Sequence, residues 1–553
     1  MAFTSFEFLI FAAIVVAAYY VCPKKARWVL LLIASFAFYL LSSMKTFVFL
    51  LAATAITFFG GRMIGKINAR TKQTIADAGD ALDRAGKKEI KAQAKKKLRK
   101  VVALILVLDF GMLAVLKYFS VYLTDIASLI GVHFELGFLI PLGISFYTFQ
   151  SAAYIFDLYR GKYEPDTNIA KFALFLSFFP QIIQGPIARH DHLAHQLYEG
   201  HSFKYENLAH GAQLMLWGFF KKLVIADRCA ILVNNVFGAP SEYQGWAVLL
   251  AAFFYTIQIY ADFSGGIDIA RGVARCMGID MPHNFKRPYF ADSLSEFWRR
   301  WHMSLSFWTR DYIFFPIAMS KAFGKAGKSL RKVLGDRVGK LFPVICAQLA
   351  TFIIIGLWHG AEFKYVAYGL YNGFIIIGSL LLEPYFKAWA EKLHINTASF
   401  GWKVFPILRT LLLVTFGRIF PKAQSFTVAL SMMGSIFAIT NYKGLTATIH
   451  SFGLTKYDYL VLIVACAVWF IVSLLQERQE NKAKEDAPEK KGIVQGKAQG
   501  DGDEETGAEV RLLIDGLPLP IRWVIYLAGF AAILGFGVYG PGFDASTFIY
   551  RGF

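Results

Sequence analysis

Cysteine is scarce in this chain. Its 553 residues hold five, Cys22, Cys229, Cys276, Cys346 and Cys466, and no two stand in Cys-x-x-Cys spacing. Neither a disulfide framework nor a cysteine metal site is expected from that scatter; most of the five sit in or beside apolar runs, where a thiol acts as a small hydrophobe. Acidic residues are also in short supply, 39 against 58 Lys and Arg, for a net charge of +19. The signatures of several large enzyme classes are missing as well. There is no Gly-x-Ser-x-Gly elbow, no Walker A loop and no Gly-x-Gly-x-x-Gly ahead of a helix, which sets aside the corresponding hydrolase, nucleotide and dinucleotide chemistries. Processive glycosyl transfer fits no better. Arg300-Trp301 supplies the end of a Gln-x-x-Arg-Trp pattern, but Phe297 stands where the glutamine is needed.

Long apolar runs are what the chain has in abundance. Hydrophobic residues make up 56% of it, against about 45–50% in a soluble globular chain, and the mean hydropathy is +0.45. Leu9 to Val21, Trp28 to Leu41, Phe47 to Phe59, Val101 to Leu116, Leu460 to Leu475 and Val524 to Gly537 are unbroken examples. Several approach the roughly 20 apolar residues that a bilayer-spanning helix needs. Only helices and closed barrels satisfy their backbone in lipid, and the alternating pattern of a barrel is absent. The expectation is an all-α polytopic membrane protein with about 11–12 transmembrane helices, some short segments being re-entrant or interfacial. The first run lacks a basic leader and a small-x-small cleavage site, so it reads as a retained helix.

In such a chain, positive charge reports topology. Residues 62–100 form one long basic stretch, with Lys87, Lys88, Lys91, Lys95, Lys96, Lys97, Arg99 and Lys100 at its end. It is expected to be a cytoplasmic loop against anionic lipid headgroups. No nucleic-acid recognition module accompanies the charge, so nucleic acid is not expected as a partner. A second basic segment, Lys321 to Lys340, is expected on the same side. Residues 477–509 mix Lys, Glu, Asp, Gln and Gly with almost no large apolar residue, the composition of a disordered linker. The whole of 1–553 reads as one membrane domain, with residues 141–382 carrying the unusual chemistry.

Within that middle region, His359 closes an apolar stretch, in Gly356-Leu-Trp-His-Gly360, beside Trp358. An ionisable group at membrane depth is costly and marks a functional site by default. A neutral imidazole can take a proton from an attacking hydroxyl; the plain alternative is a hydrogen-bonding histidine at a helix end. His302 lies in Trp298-Arg299-Arg300-Trp301-His302, where two consecutive arginines can hold a phosphate or carboxylate. A Trp- and Arg-rich interfacial anchor is the competing reading. Asp262, Ser264 and Asp268, at the end of another apolar run, position a substrate or cap a helix. Phe178 to Arg189 breaks its run with Pro180, Gly185 and Pro186, a pattern tolerated only where protein or a water-filled cavity covers the backbone. His190, His192, His195, His201 and His210 match no zinc spacing, so no metal is expected.

Nine ordered motifs carry a family resemblance. They are Pro141 to Gln150, Asp157 to Gly161, Gln184-Gly-Pro186, Gly218-Phe-Phe-Lys-Lys222, Asp262-Phe-Ser-Gly265, Asn284-Phe-Lys-Arg-Pro-Tyr289, Phe297 to Ser306, Arg310-Asp-Tyr312 and Gly356 to Gly360. On these the chain resembles the membrane-bound O-acyltransferases, close to the bacterial branch that acetylates alginate and related exopolysaccharides. Phe314 to Ser320 is similar instead to the branch that moves D-alanine to lipoteichoic acid, and Asn372 stands where a histidine is common.

The resemblance implies a ring of tilted helices around a central funnel or tunnel in a bacterial cell membrane. It implies that His359 and His302 are the catalytic pair, with Arg299, Arg300, Trp298, Trp301, Asp262, Ser264, Asn284 and Trp358 as substrate-binding residues. No bound cofactor is expected. The donor is expected to be an acyl thioester, acetyl-CoA or an acyl-carrier protein. The acceptor is a cell-surface polysaccharide or other polymer, and an extracytoplasmic acyltransferase is the expected partner protein. D-alanyl transfer is the alternative reaction, and a non-enzymatic permease or flippase the alternative of another class.

Overall fold

The computed structural model describes residues 1–79, 82–119, 122, 140–437, 449–486 and 514–539. Among the described residues there are helices and turns but no strand. They fall into two compact units, Met1–Leu208 with Val273–Met281, and Ala209–Gly272 with Pro282–Phe553.

The first unit starts with α1 (Phe6–Val21), capped by the Ser5 side chain, then α2 (Arg27–Ser43), α3 (Phe47–Asp77) and α4 (Arg84–Ala114). Phe8, Ala12, Val15 and Tyr19 recur at helical spacing and form the buried face of α1. Gly60 and Gly61 let α3 approach its neighbours, because a Cβ on the first would meet Ile105 and on the second Tyr154. Tyr154 belongs to α5 (Ile144–Arg160), which begins at Gly143 with φ +69°. A Cβ on Gly143 would lie 2.1 Å from the Ile182 carbonyl oxygen, so only glycine fits there.

Residues 62–100 are not the loop that their charge suggested. Residues 62–77 extend α3 and residues 84–100 begin α4. Ala, Lys, Arg and Gln are strong helix formers, and lengthening an existing helix costs far less than nucleating one.

The second unit contains α6 (Tyr205–Phe219), a π-helical turn at Phe220–Ala226, α7 (Asp227–Gly238) and the long α8 (Trp246–Cys276). Glycines seven residues apart join α6 to α8. A Cβ on Gly218 would meet the Gly265 carbonyl at 2.6 Å, and one on Gly272 would meet the Gly211 carbonyl at the same distance. Such small residues are how apolar helices come into backbone contact. Next come two short helices, α9 (Leu294–Arg300) and α10 (Met303–Thr309), then the basic α11 (Lys321–Leu334) and α12 (Asp336–His359). The long helices α13 (Phe363–Lys392), α14 (Phe400–Lys422), α15 (Lys456–Asp486) and α16 (Leu519–Phe536) complete the unit. Gly356 and Gly369 draw α12 and α13 together, the first against the Tyr365 carbonyl and the second against that of Phe352.

Eight stretches among the described residues are long and apolar enough to cross a membrane, and the first of them, Lys24–Asp77, contains both α2 and α3. The expected 11–12 spans are for the whole chain, and these eight are among the described residues alone. Phe6–Val21 is apolar but shorter, and the Gly- and Pro-interrupted centre forms short helices such as Ile169–Ser177, α9 and α10. The chain is an all-α, multi-pass membrane protein.

The polar stretch 477–509 begins differently from its composition. α15 continues to Asp486, so residues 477–486 are helical, while 487–509 lie outside the described residues. Glu477 and Glu480 have counter-charges in Arg287, Arg300 and Lys286, which draw the polar end of α15 against the loop before α9.

Gly218→Leu forces a side chain into the Gly265 backbone. It is expected to destabilise the protein by about 1–3 kcal/mol. Gly378→Ala, where a Cβ meets nothing within 4 Å, should hold stability or raise it by up to about 1 kcal/mol, because alanine is the better helix former. Thermal unfolding in detergent compares the two.

Candidate active site

His302 joins α9 to α10 in a left-handed conformation, φ +45°, rare for a residue with a side chain. It is 1% exposed. Asn284 holds the turn in three ways. Its carbonyl accepts the Met303 N–H at 2.9 Å, its Oδ1 accepts the Ser304 N–H at 2.9 Å, and its amide lies 3.1–3.2 Å from His302 Nδ1. One step along, the Lys286 N–H donates to the Arg300 carbonyl at 2.9 Å. These two backbone bonds pair segment 284–286 with 300–303, and left-handed residues, Arg287 and His302, stand at both turns. Whichever tautomer His302 adopts, the Asn284 amide engages Nδ1 and leaves Nε2 to face elsewhere. Phe263 meets the ring edge-on at 4.9 Å. Burial pushes the His302 pKa down from 6.5 to about 3, so the ring is neutral at any ordinary pH.

His359 is the last residue of α12 and is 6% exposed. Its ring lies 4.8 Å from that of Trp358, 5.8 Å from Tyr368 and 6.4 Å from Tyr365. The indole of Trp358 also lies 5.6 Å from His302. One aromatic ring therefore joins the two histidine motifs, which are far apart in the chain. The flanking glycines have packing duties, since a Cβ on Gly356 or Gly360 would collide with Tyr365. Trp298 is buried and its Nε1 donates to Asn372 Oδ1 at 3.1 Å. Asn372 thus does what a neutral histidine at that position would do, accepting a hydrogen bond.

Asp262, Ser264 and Asp268 are engaged by lysines. Lys222 Nζ lies 2.6 Å from Asp262 and 2.7 Å from Asp227, and Lys221 Nζ lies 2.9 Å from Ser264 Oγ and 2.6 Å from Asp268. The π-helical turn places both lysines on α8, and the Gly218–Gly265 contact sets the approach. Asp262 and Ser264 thus belong to a buried ion-pair network, and Phe263 between them is the residue that touches His302. The arginines also differ from the expected anion clamp. Arg299 is 69% exposed and pairs with Glu296, whereas Arg300 is held by Glu296 at 2.8 Å and Glu477 at 3.1 Å. Trp301 is buried, with its ring stacked on Phe297 at 5.5 Å.

Among the described residues no group of three His, Cys, Asp or Glu side chains is placed to hold a metal ion. His190 pairs with Asp166 at 2.7 Å, His201 with the Gln196 carbonyl at 2.8 Å and His210 with Asp515 at 3.1 Å.

Lys221 and Lys222, which stand in a family motif, and Glu477, Glu480 and Arg418 were not among the expected site residues. The rule that singled out His359 would have found three of them, since a charged side chain in an apolar run needs a function or a counter-charge.

Lys222→Met strands two buried carboxylates. It is expected to cost about 3–5 kcal/mol in thermal unfolding, and adding Asp262→Asn should recover part of the loss.

Known proteins resemble this chain over most of its length. The membrane-bound O-acyltransferase family profile matches residues 165–334, which include His302 and the paired segment around Asn284. The probable alginate O-acetylase AlgI of Pseudomonas syringae pv. tomato is 30% identical over 495 residues, covering 88% of this chain and 84% of that protein. AlgI of Pseudomonas aeruginosa is 31% identical over 451 residues, covering 80% and 76%. A teichoic acid D-alanyltransferase of Bacillus subtilis is 29% identical over 280 residues, covering 50% and 67%. This chain belongs to the membrane-bound O-acyltransferase family and is an O-acyltransferase.

Proposed function

We propose that the enzyme moves an acetyl group from a cytoplasmic thioester donor, acetyl-CoA or an acyl-carrier protein, to hydroxyls of a cell-surface polysaccharide. It does so in the inner membrane of a bacterium, with an extracytoplasmic acyltransferase as partner. The observation that carries the reading is the convergence of His302 and His359 on the Trp358 indole.

In this mechanism His359 takes the proton of the acceptor hydroxyl as its oxygen attacks the thioester carbonyl. The tetrahedral intermediate collapses with cleavage of the C–S bond. The imidazolium returns the proton to the departing sulfur, so ester and thiol form with no proton gained or lost overall. His302 stays neutral and offers a hydrogen bond from Nε2 to donor or acceptor, while Asn284 fixes the ring. Both imidazoles are buried, so this mechanism requires a passage between the helices for the substrates. Trp298, Trp301 and Trp358 wall the centre with aromatic surface. Arg299, exposed at the end of α9, meets the anionic part of the donor or its carrier; Arg300 reaches it only by exchanging Glu477 for the anion. The Pseudomonas relatives are alginate acetylases by name, and polysaccharide acetylation is carried over from them.

Transfer of labelled acetyl from acetyl-CoA to envelope polymer in membrane vesicles tests the reading. His359→Ala is expected to lose about 10²–10⁴-fold in rate. A folded variant that transfers at the parent rate removes the base assignment. Incorporation of D-alanine in place of acetyl would move the enzyme to the D-alanyl branch.

The pH profile separates the histidines. A base works deprotonated, so the rate falls on the acid side of its own pKa. With a pKa of about 3, His302 contributes no step between pH 5 and 8. His302→Gln should lower the rate throughout that range and leave the midpoint of the acid limb where it was. A shifted midpoint would make His302 the titrating group.

A further inference from the structure

Arg418 belongs to no motif that identified the site, yet it lies in the candidate span Phe400–Lys422 and is 1% exposed. A charged side chain at such depth is expensive and marks a functional position by default. Its guanidinium carbon sits 4.3 Å from the centre of the Trp301 ring, 5.6 Å from that of Tyr368 and 6.0 Å from that of Phe297. Contacts between a cation and an aromatic face strengthen when water is excluded.

The three rings are not equivalent. Trp301 immediately precedes His302, and Tyr368 is in ring contact with His359 at 5.8 Å. Phe297 backs Trp301 as a near-parallel stack, 17° between planes. Gly417 makes the placement possible, because a Cβ there would meet the Tyr371 ring at 2.8 Å and hold α14 away from α13.

We propose that Arg418 is a positioning residue of the acyl-transfer centre. It clamps Trp301 to Tyr368, and through them sets His302 against His359. The proposal rests on the reading of those two histidines as the reacting pair. A left-handed, non-glycine residue persists only where its surroundings over-determine it. Asn284 supplies one side of that determination by binding the His302 ring and the two N–H groups after it. Arg418 supplies the other by fixing the residue before it. A planar guanidinium can stack on an indole while an ammonium cannot, so arginine and lysine are not interchangeable here.

The experiment uses the full chain in membrane vesicles with acetyl-CoA as donor, and rates are expressed per folded molecule. Arg418→Lys keeps the charge and loses the stacking. It should lower the maximal rate on the order of tenfold, with the KM for acetyl-CoA within about twofold. Trp301→Phe should do the same, and the double variant should be little worse than the poorer single one, because the two residues act through one contact. A maximal rate unchanged in Arg418→Lys, or effects of the two variants that simply multiply, overturns the proposal. Carbethoxylation of His302 by diethyl pyrocarbonate gives a readout that needs no turnover. Its rate should rise severalfold in Arg418→Lys, and no rise means no clamp. If the parent chain transfers no acetyl, the reading of the site falls, and this labelling alone decides the clamp.

Discussion

The left-handed turn at His302 is the constraint on which the rest of the site depends. Its backbone is unfavourable for any residue with a Cβ, and its ring is cut off from water. Neither cost is tolerable unless the neighbours leave no alternative. Asn284 binds the ring and the N–H groups of the following turn, and a second backbone bond, from Lys286 to Arg300, extends the pairing. Phe263, Trp301 and Trp358 fill the space around it. Burial keeps the ring neutral, which suits a hydrogen-bonding role and excludes that of a permanent cation.

Charges elsewhere in this unit serve the same turn. The Gly218–Gly265 contact brings the lysines of the π-helical turn onto α8, where Asp262, Ser264 and Asp268 meet them, and Phe263 is thereby aimed at His302. Glu477 and Glu480 reach from α15 to Arg287 and Arg300, the residues beside the Lys286–Arg300 backbone bond at one end of the paired segment. Buried ion pairs add little net stability compared with apolar packing. What they contribute here is placement: each ties a distant helix to the loop that carries the histidine.

How much of this was legible in the sequence depended on range. The helices follow from apolar runs, a local property, and so does the membrane class. The run-breaking Pro180, Gly185 and Pro186 and the histidine motifs announced themselves by being out of place in those runs. Partnership is not local. Nothing near Asp262 says that Lys222 will neutralise it, and nothing near Glu477 points to Arg300. For the same reason the stretch from 477 looked like a linker: its glutamates have their counter-charges almost two hundred residues earlier. Residues 62–100 misled differently, because charge reports the side of the membrane and says little about whether the backbone is helical.

The proposed chemistry asks different things of the two histidines. In acyl transfer from a thioester, the base must change partner during the reaction, accepting a proton from oxygen and giving it to sulfur. The ring to which that task is assigned, His359, has the rings of Trp358, Tyr365 and Tyr368 around it at 4.8–6.4 Å. A ring that only donates one hydrogen bond gains from being fixed before the substrate arrives, because preorganised donors cost no reorganisation during the reaction. Asn284 does this for His302, and the low dielectric around the indoles strengthens every such bond while keeping the imidazole uncharged. The division of labour proposed for the two histidines thus gives the preorganised donor's role to the ring whose turn Asn284 fixes.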